Sequence, residues 1–171
     1  MDVDLVAGNR SFEAFVEAFT AGDEQAEFAG VPLIFYSLAN GDPVARYRIS
    51  SLLLNSGCRV DGFNSRGQTA LHILVGQVKH DISQTTELCA RLLERGVDPA
   101  AVDSRGVTAT QEIVALRLSD VDLAELFDLW FRQPGLVLSQ PNKAGFSPIE
   151  LAEKRPFRAE MVRRMNEYAS S

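Results

Sequence analysis

The chain repeats itself at a fixed interval of 39 residues, and a period of that length dictates an array of stacked units in place of one central core. Gly67, Gly106 and Gly145 mark one series at this spacing, and Gly57, Gly96 and Gly135 mark a second in register with it. Each glycine of the second series follows a segment ending in bulky apolar residues: Leu52 and Leu53, Leu92 and Leu93, Trp130 and Phe131. Two independent markers in one register define a repeating supersecondary unit.

The contents of the unit follow from its punctuation. Thr69, Thr108 and Ser147 each stand two residues after a glycine, where a hydroxyl can accept a bond from an orphan N–H of a first helical turn. Apolar residues at helical spacing follow, such as Leu71, Leu74 and Val75, or Ile149 and Ala152. A polar stretch leads to a second amphipathic helix, where Leu123, Leu126, Phe127, Trp130 and Phe131 match one buried stripe. Ten residues then separate Gly57 from Gly67, Gly96 from Gly106 and Gly135 from Gly145. The leading glycine suits a left-handed helix C-cap, and the remainder, such as VDPAAVDSRG, is too short and polar for a helix and predicts an extended turn or hairpin. A helix-loop-helix unit of this size leaves one face bare, so its neighbours must stack on it.

The stretches NSRGQTALHIL (Asn64 to Leu74) and LLERGVDPAAVDSRGVT (Leu92 to Thr108) resemble the ankyrin repeat, whose pattern runs GxTPLHxA, a helix pair, LLxxGADxN and a hairpin. The similarity extends to Thr69-Ala70-Leu71-His72, to Gly96-Val97-Asp98-Pro99 and to Ser147-Pro148-Ile149-Glu150-Leu151-Ala152, and it covers residues 28 to 168. It implies an all-α, ankyrin-like helix-turn-helix solenoid with short hairpin loops. The family period is about 33 residues, so the additional residues are expected between or within the helices, at GQVKHDISQT and RLSDVD. The first unit, from Val31-Pro32-Leu33-Ile34, has neither a leading glycine in the 39-residue register nor the TxLH histidine, and the third has Thr110-Gln111 where Leu-His is expected.

The ends of such an array should be atypical, because they must shield the stack from water. Ser11 to Phe19 offers an N-cap serine with Phe12, Phe15, Val16 and Phe19 at helical spacing, which predicts one covering helix. At the other end Pro156 suits a first helical position, and Phe157, Met161, Met165 and Tyr168 form the last stripe. The expected organisation is a single domain over 1–171: an N-terminal cap (1–27), three repeats (28–63, 64–102 and 103–141) and a fourth repeat with the C-terminal cap (142–171).

Composition narrows the function classes. With 46% apolar and 23% charged residues the chain lies outside the disordered, collagenous and membrane classes. Its 23 acidic and 17 basic residues give a formal charge of -6, which opposes attraction to nucleic acid or anionic lipid. The apolar run Val31 to Ala39 is about half of the roughly 20 residues that span a bilayer. MDVDLVAGNR carries no secretory leader pattern, and two distant cysteines, Cys58 and Cys89, read as reduced thiols. A cytoplasmic location is the expectation.

No catalytic constellation emerges, and no cofactor or metal is expected. His72 sits in TALH, where the resemblance implies hydrogen bonds that support the turns between repeats. His80 has no histidine or cysteine at ligand spacing and reads as solvated. Cys58 and Cys89 suit buried small apolar positions, and local sequence offers Cys89 no activating cation or helix N-terminus. GLVLSQPNKAG lacks the phosphate-loop pattern. Asp120, Asp122, Glu125 and Asp128 read as hydrated residues that favour a helix start.

What remains is surface. Columns of the period become columns in space, and one of them is basic, with Arg66 and Arg105 before their glycines and Lys143 displaced by one position. Gln68, Val107 and Phe146 follow the glycines, and Phe63 and Val102 lie near the hairpin ends. An arginine and aromatic mixture on an exposed edge suits protein recognition, and the resemblance implies a protein partner held by the hairpin tips and the concave first-helix face. The inserted residues form a second candidate surface. The expected function is therefore a non-enzymatic, monomeric protein-protein interaction module, with bacterial inhibitors or immunity factors of toxins as a specific version. A hydrolase site between repeats built on His72, His80 or Cys89, and a self-associating module, are the alternatives.

Overall fold

The computed structural model describes residues 2–171, and its regular structure is almost wholly helical. The helices are α1 (Val3–Asn9), α2 (Phe12–Ala18), α3 (Leu33–Leu38), α4 (Pro43–Asn55), α5 (Ala70–Val75), α6 (Ile82–Glu94), α7 (Ala109–Ala115), α8 (Ala124–Trp130), α9 (Pro148–Glu153) and α10 (Ala159–Ser170). One antiparallel hairpin joins β1 (Glu27–Phe28) to β2 (Val31–Pro32). The helices form two rows: α1, α3, α5, α7 and α9 touch in that order, as do α2, α4, α6 and α8. The apolar stripes meet between the rows, where Leu33, Leu53, Leu71, Leu92, Phe127 and Trp130 are wholly buried. We number the pairs α3/α4, α5/α6, α7/α8 and α9/α10 as units 1 to 4.

Each first helix of units 2 to 4 begins with a capping box. Thr69, Thr108 and Ser147 accept from the backbone N–H of His72, Gln111 and Glu150, and those three side chains accept in return from the N-cap N–H. The boxes also tie unit to unit. His72 Nε2 donates to the Val107 carbonyl at 2.9 Å, and Gln111 Nε2 donates to the Phe146 carbonyl at 2.8 Å. Gln111 therefore does the work of the histidine expected at this position. Glu150 accepts from the Ser147 N–H and hydroxyl, both at 2.8 Å, and an ionised carboxylate has no proton to pass to a further unit.

The inserted residues lie between the helices, in loops 76–81 and 116–123. Buried guanidinium groups brace these loops. Arg46 donates to the carbonyls of Asn40 at 2.9 Å and Lys79 at 2.7 Å. Arg158, with no exposure, donates to Val114 at 3.1 Å, to Leu118 at 2.8 Å, to Leu116, and to the Asp120 carboxylate at 2.9 Å. Carbonyls left bare where α7 ends thus gain donors. Asp120 in addition accepts from the N–H groups of Glu160 and Met161 at the start of α10, so it is a structural cap and not a hydrated carboxylate.

Several expectations are revised. The N-terminal cap is a helix pair, because α1 precedes the helix capped by Ser11 and buries Val3, Val6 and Ala7 against α3. Unit 1 does possess the repeat glycine. Gly30 stands two residues before the N-cap Pro32, as Gly67 does before Thr69, and shares its positive φ (77° against 71°). The offset arises because unit 1 is two residues out of the 39-residue register. At the C-terminus Phe157 points outward and Arg158 takes the buried place, since a short 3-10 turn over Pro156–Arg158 rotates the stripe. His80 is half-buried rather than solvated: Nε2 donates to the Gln77 carbonyl at 2.7 Å and Nδ1 meets the Thr85 hydroxyl at 3.0 Å.

Candidate functional site

The turns of units 2 to 4 are built alike. Asn64, Asp103 and Asn142 again recur every 39 residues, three positions before the glycine. Each side-chain oxygen accepts two backbone N–H groups: from Arg66 and Gln68 on Asn64, from Arg105 and Val107 on Asp103, from Ala144 and Phe146 on Asn142. These Asx turns end in Gly67, Gly106 and Gly145 with φ of 71°, 73° and 86°, a region open to glycine at no steric cost. The Asn/Asp column was not singled out from sequence, although the same period reveals it.

Neighbouring tips are joined through their backbones. Ser104 N–H donates to the Arg66 carbonyl and Lys143 N–H to the Arg105 carbonyl, both at 2.9 Å. The tips are close enough that a Cβ on Gly67 would lie 3.2 Å from Ser104 N, and one on Gly106 would lie 3.3 Å from Asn142 Cα. The hairpin of unit 1 is different. Its Ala29 and Gly30 both have positive φ, 52° and 77°, the pattern of a two-residue type I′ turn.

Beside that first tip opens a groove of about 940 Å³. Phe63, Arg66, Gln68 and Arg105 line it together with Phe35, Tyr36 and Ile73 of the first-helix row and Gln77 of the loop that follows α5. Four of the eight expected site residues therefore meet the first-helix row in one place. Phe63 is 57% exposed, and Arg66 is exposed on its rim. Val102, Val107, Lys143 and Phe146 lie outside the groove along the remaining tips. Val102 and Lys143 are exposed, Val107 is half-buried, and the half-buried Phe146 ring is covered by the Lys154 ammonium at 3.6 Å.

The basic column is not uniform in charge. Arg105 donates to Asp103 at 2.7 Å and to Glu112 at 2.8 Å, and this pairing cancels much of its field. Burial pushes the Asp103 carboxyl up, but hydrogen bonds from Val107, Arg105 and the Arg105 guanidinium outweigh it and hold it below the usual range. Among the described residues Arg66 has no carboxylate within ion-pair distance. Sequence missed Glu112 as the second partner because it lies seven positions from Arg105 across a turn. The inserted loops present Val78, 89% exposed, and Val121, 86% exposed, at a separate edge.

The candidates for chemistry are engaged elsewhere. His72 is buried, with Nδ1 accepting from Thr69 and Nε2 donating to Val107. Cys89 is wholly buried, and burial pushes its thiol up to about 12. Burial likewise raises Cys58, to about 11. At such values a thiolate, the nucleophilic form, is scarce.

No family model matches the chain. It is similar to the mouse "Ankyrin repeat domain-containing protein 63", 32% identical over 133 residues, which is 78% of this chain and 32% of the relative. The human protein of the same name is also 32% identical over 133 residues, covering 78% of this chain and 33% of the relative. The chain thus spans about a third of the length of these curated relatives, and the similarity supports ankyrin-like repeats. Its fold matches a crystal structure titled as a functionally unknown protein from Leptotrichia buccalis C-1013-b, with a TM-score of 0.87 and 27% identity over 98% of this chain and 92% of that one. No helix among the described residues is long and apolar enough to cross a membrane.

Proposed function

We propose that the two helix rows form an ankyrin-like solenoid whose function is to bind a partner protein, without catalysis, through the hairpin tips and the concave first-helix face. The reading rests on one observation, the groove of about 940 Å³ in which Phe63, Arg66, Gln68 and Arg105 converge on the first-helix row. Such a surface has an aromatic anchor, a free guanidinium and a rigid scaffold, which is the make-up of recognition hot spots. Similarity to proteins named for ankyrin repeats supports the same role. The occupied nitrogens of His72 and the protonated, buried Cys89 weigh against a hydrolase, and two buried free thiols suit a reducing cytoplasm.

The test is affinity enrichment from the native host with the wild-type chain and with Arg66→Glu, Arg105→Glu. Near-identical helical circular dichroism is expected, with a lower melting temperature because Arg105→Glu sets a third carboxylate against Asp103 and Glu112, and with the partner's affinity lowered more than about tenfold, or about 1.4 kcal/mol. A partner retained unchanged by the double variant overturns the tip surface. The inhibitor version predicts that the enriched partner is a toxin or enzyme whose activity the chain suppresses. The chain's charge of -6 favours a basic partner for it.

A further inference from the structure

The joint between units 1 and 2 is missing a rung that the other joints possess. Ser65, Ser104 and Lys143 occupy the same place, one residue after the Asx residue of each turn. Ser104 and Lys143 donate their N–H groups to the preceding tip, whereas Ser65 N–H bonds to no group among the described residues. The residue that would accept is Ala29, which stands three before its N-cap as Arg66 and Arg105 stand before theirs. Ala29 instead adopts a φ of 52° in the tighter turn of unit 1. The glycines report the same gap independently. A Cβ on Gly67 or Gly106 would press on the next tip, but one on Gly30 would meet nothing within 4 Å.

The groove opens at this gap, since Ala29, Val31, Phe63, Ser65 and Arg66 are among its walls. Apolar surface from Tyr36 and Phe63 therefore lies next to an unused backbone donor and an unpaired guanidinium. A main-chain carbonyl is what the donor requires, and addition of an extended segment to a vacant hydrogen-bonding edge is a recurrent mode of peptide recognition. A carboxylate is what Arg66 requires. Arg105 does not compete for it, because Asp103 and Glu112 already hold that guanidinium.

We infer that the open joint between units 1 and 2 binds an extended, acidic segment of the partner protein, whose main-chain carbonyl accepts from Ser65 N–H while its carboxylate pairs with Arg66 and an apolar neighbour packs on Tyr36 and Phe63. This rests on the protein-binding reading above and names the part of the partner that enters the groove.

Ser65 is the second residue of a tight turn in which Gly67 N–H donates to the Asn64 carbonyl at 2.9 Å. Proline is favoured at that place in a type I turn, so Ser65→Pro removes the N–H with little other change. The probe is a displayed library of random peptides of about 12 residues selected on the full chain, followed by titration of synthetic copies of the enriched sequences. Enrichment of Asp or Glu beside an aromatic or aliphatic residue is expected. Ser65→Pro and Arg66→Gln should each weaken binding about tenfold with melting unchanged, while Arg105→Gln should cost less than about threefold. Amide NMR shifts should be largest at Ser65, Arg66 and Gln68. If Ser65→Pro perturbs the fold, Arg66→Gln and the amide shifts still decide the matter. Enriched peptides without acidic residues, or affinity indifferent to both variants, overturn the inference. Failure to select any peptide also overturns it, yet leaves recognition of a folded surface, which the enrichment experiment tests separately.

Discussion

The joints between units 2, 3 and 4 and the joint between units 1 and 2 are made from the same chain pattern but end differently. At the regular joints a backbone bond at 2.9 Å links the tips and a packed glycine brings them together. At the first joint the loop side is braced by Arg46 reaching the Lys79 carbonyl, yet the tip side stays apart. Repetition therefore closes the stack, and a break in the repetition leaves surface available. A two-residue offset in unit 1 is enough, because it exchanges an Asx turn for a type I′ turn and removes one carbonyl from the ladder.

The largest effect expected at a closed joint comes from Arg158, which links unit 4 to the loop of unit 3. Arg158→Met should lower stability by about 3–5 kcal/mol, because it takes the counter-ion from the half-buried Asp120 carboxylate and the donors from the carbonyls of Val114, Leu116 and Leu118. Urea unfolding measures it, and a loss below about 1 kcal/mol would remove Arg158 from the account of how the joint is held. Next come the glycines, which set the two kinds of joint against each other directly. Alanine at either Gly67 or Gly30 meets a left-handed penalty of about 1–2 kcal/mol. Only at Gly67 does the added Cβ also press on the backbone of the next tip, so Gly67→Ala should be worse by about 1 kcal/mol or more. Equal losses would mean that the tips are no closer at one joint than at the other.

Much of this arrangement was legible because a stacked repeat turns sequence register into spatial register. The caps at Thr69, Thr108 and Ser147, the helix pairs and the buried stripe through Trp130 could all be read from it. The missing parts depend on contacts that the period does not express. Arg158 is buried by carbonyls some 40 positions away in the preceding unit, and Glu112 reaches Arg105 only across the turn between them. Helix α1 escaped notice because its buried stripe is only Val3, Val6 and Ala7. Gly30 was hidden by the two-residue offset, so the groove's residues could be named in part, but its position at the irregular joint could not.

The position shared by His72, Gln111 and Glu150 offers a finer test of what closes a joint. If the requirement is one acceptor and one donor, His72→Gln should cost less than about 1 kcal/mol, whereas His72→Leu should cost about 2 kcal/mol by leaving the Val107 carbonyl and the Thr69 N–H without it. Comparable losses in the two variants would show that imidazole shape, and not hydrogen bonding, matters there.

The smallest expected effect is a pH dependence on the braced side of the first joint. Burial, with a lesser contribution from the Arg46 charge, lowers the His80 pKa from its usual 6.5, while its bond to Gln77 opposes the shift. The unfolded chain therefore takes up this proton first as pH falls. Stability should drop as pH passes downward through about 6.5 and level off below the folded-state value, with no contribution above it. The carboxylates held low, such as Asp103 and Glu160, act in the same direction, but their ordinary values of 3.8 and 4.5 place their losses at lower pH. Urea midpoints between about pH 7.5 and about pH 5.5, a range that brackets a free imidazole, should slope in the wild type and flatten in His80→Asn. An identical slope in both would assign the proton to another group and leave the Gln77 and Thr85 bonds of His80 as purely structural contacts.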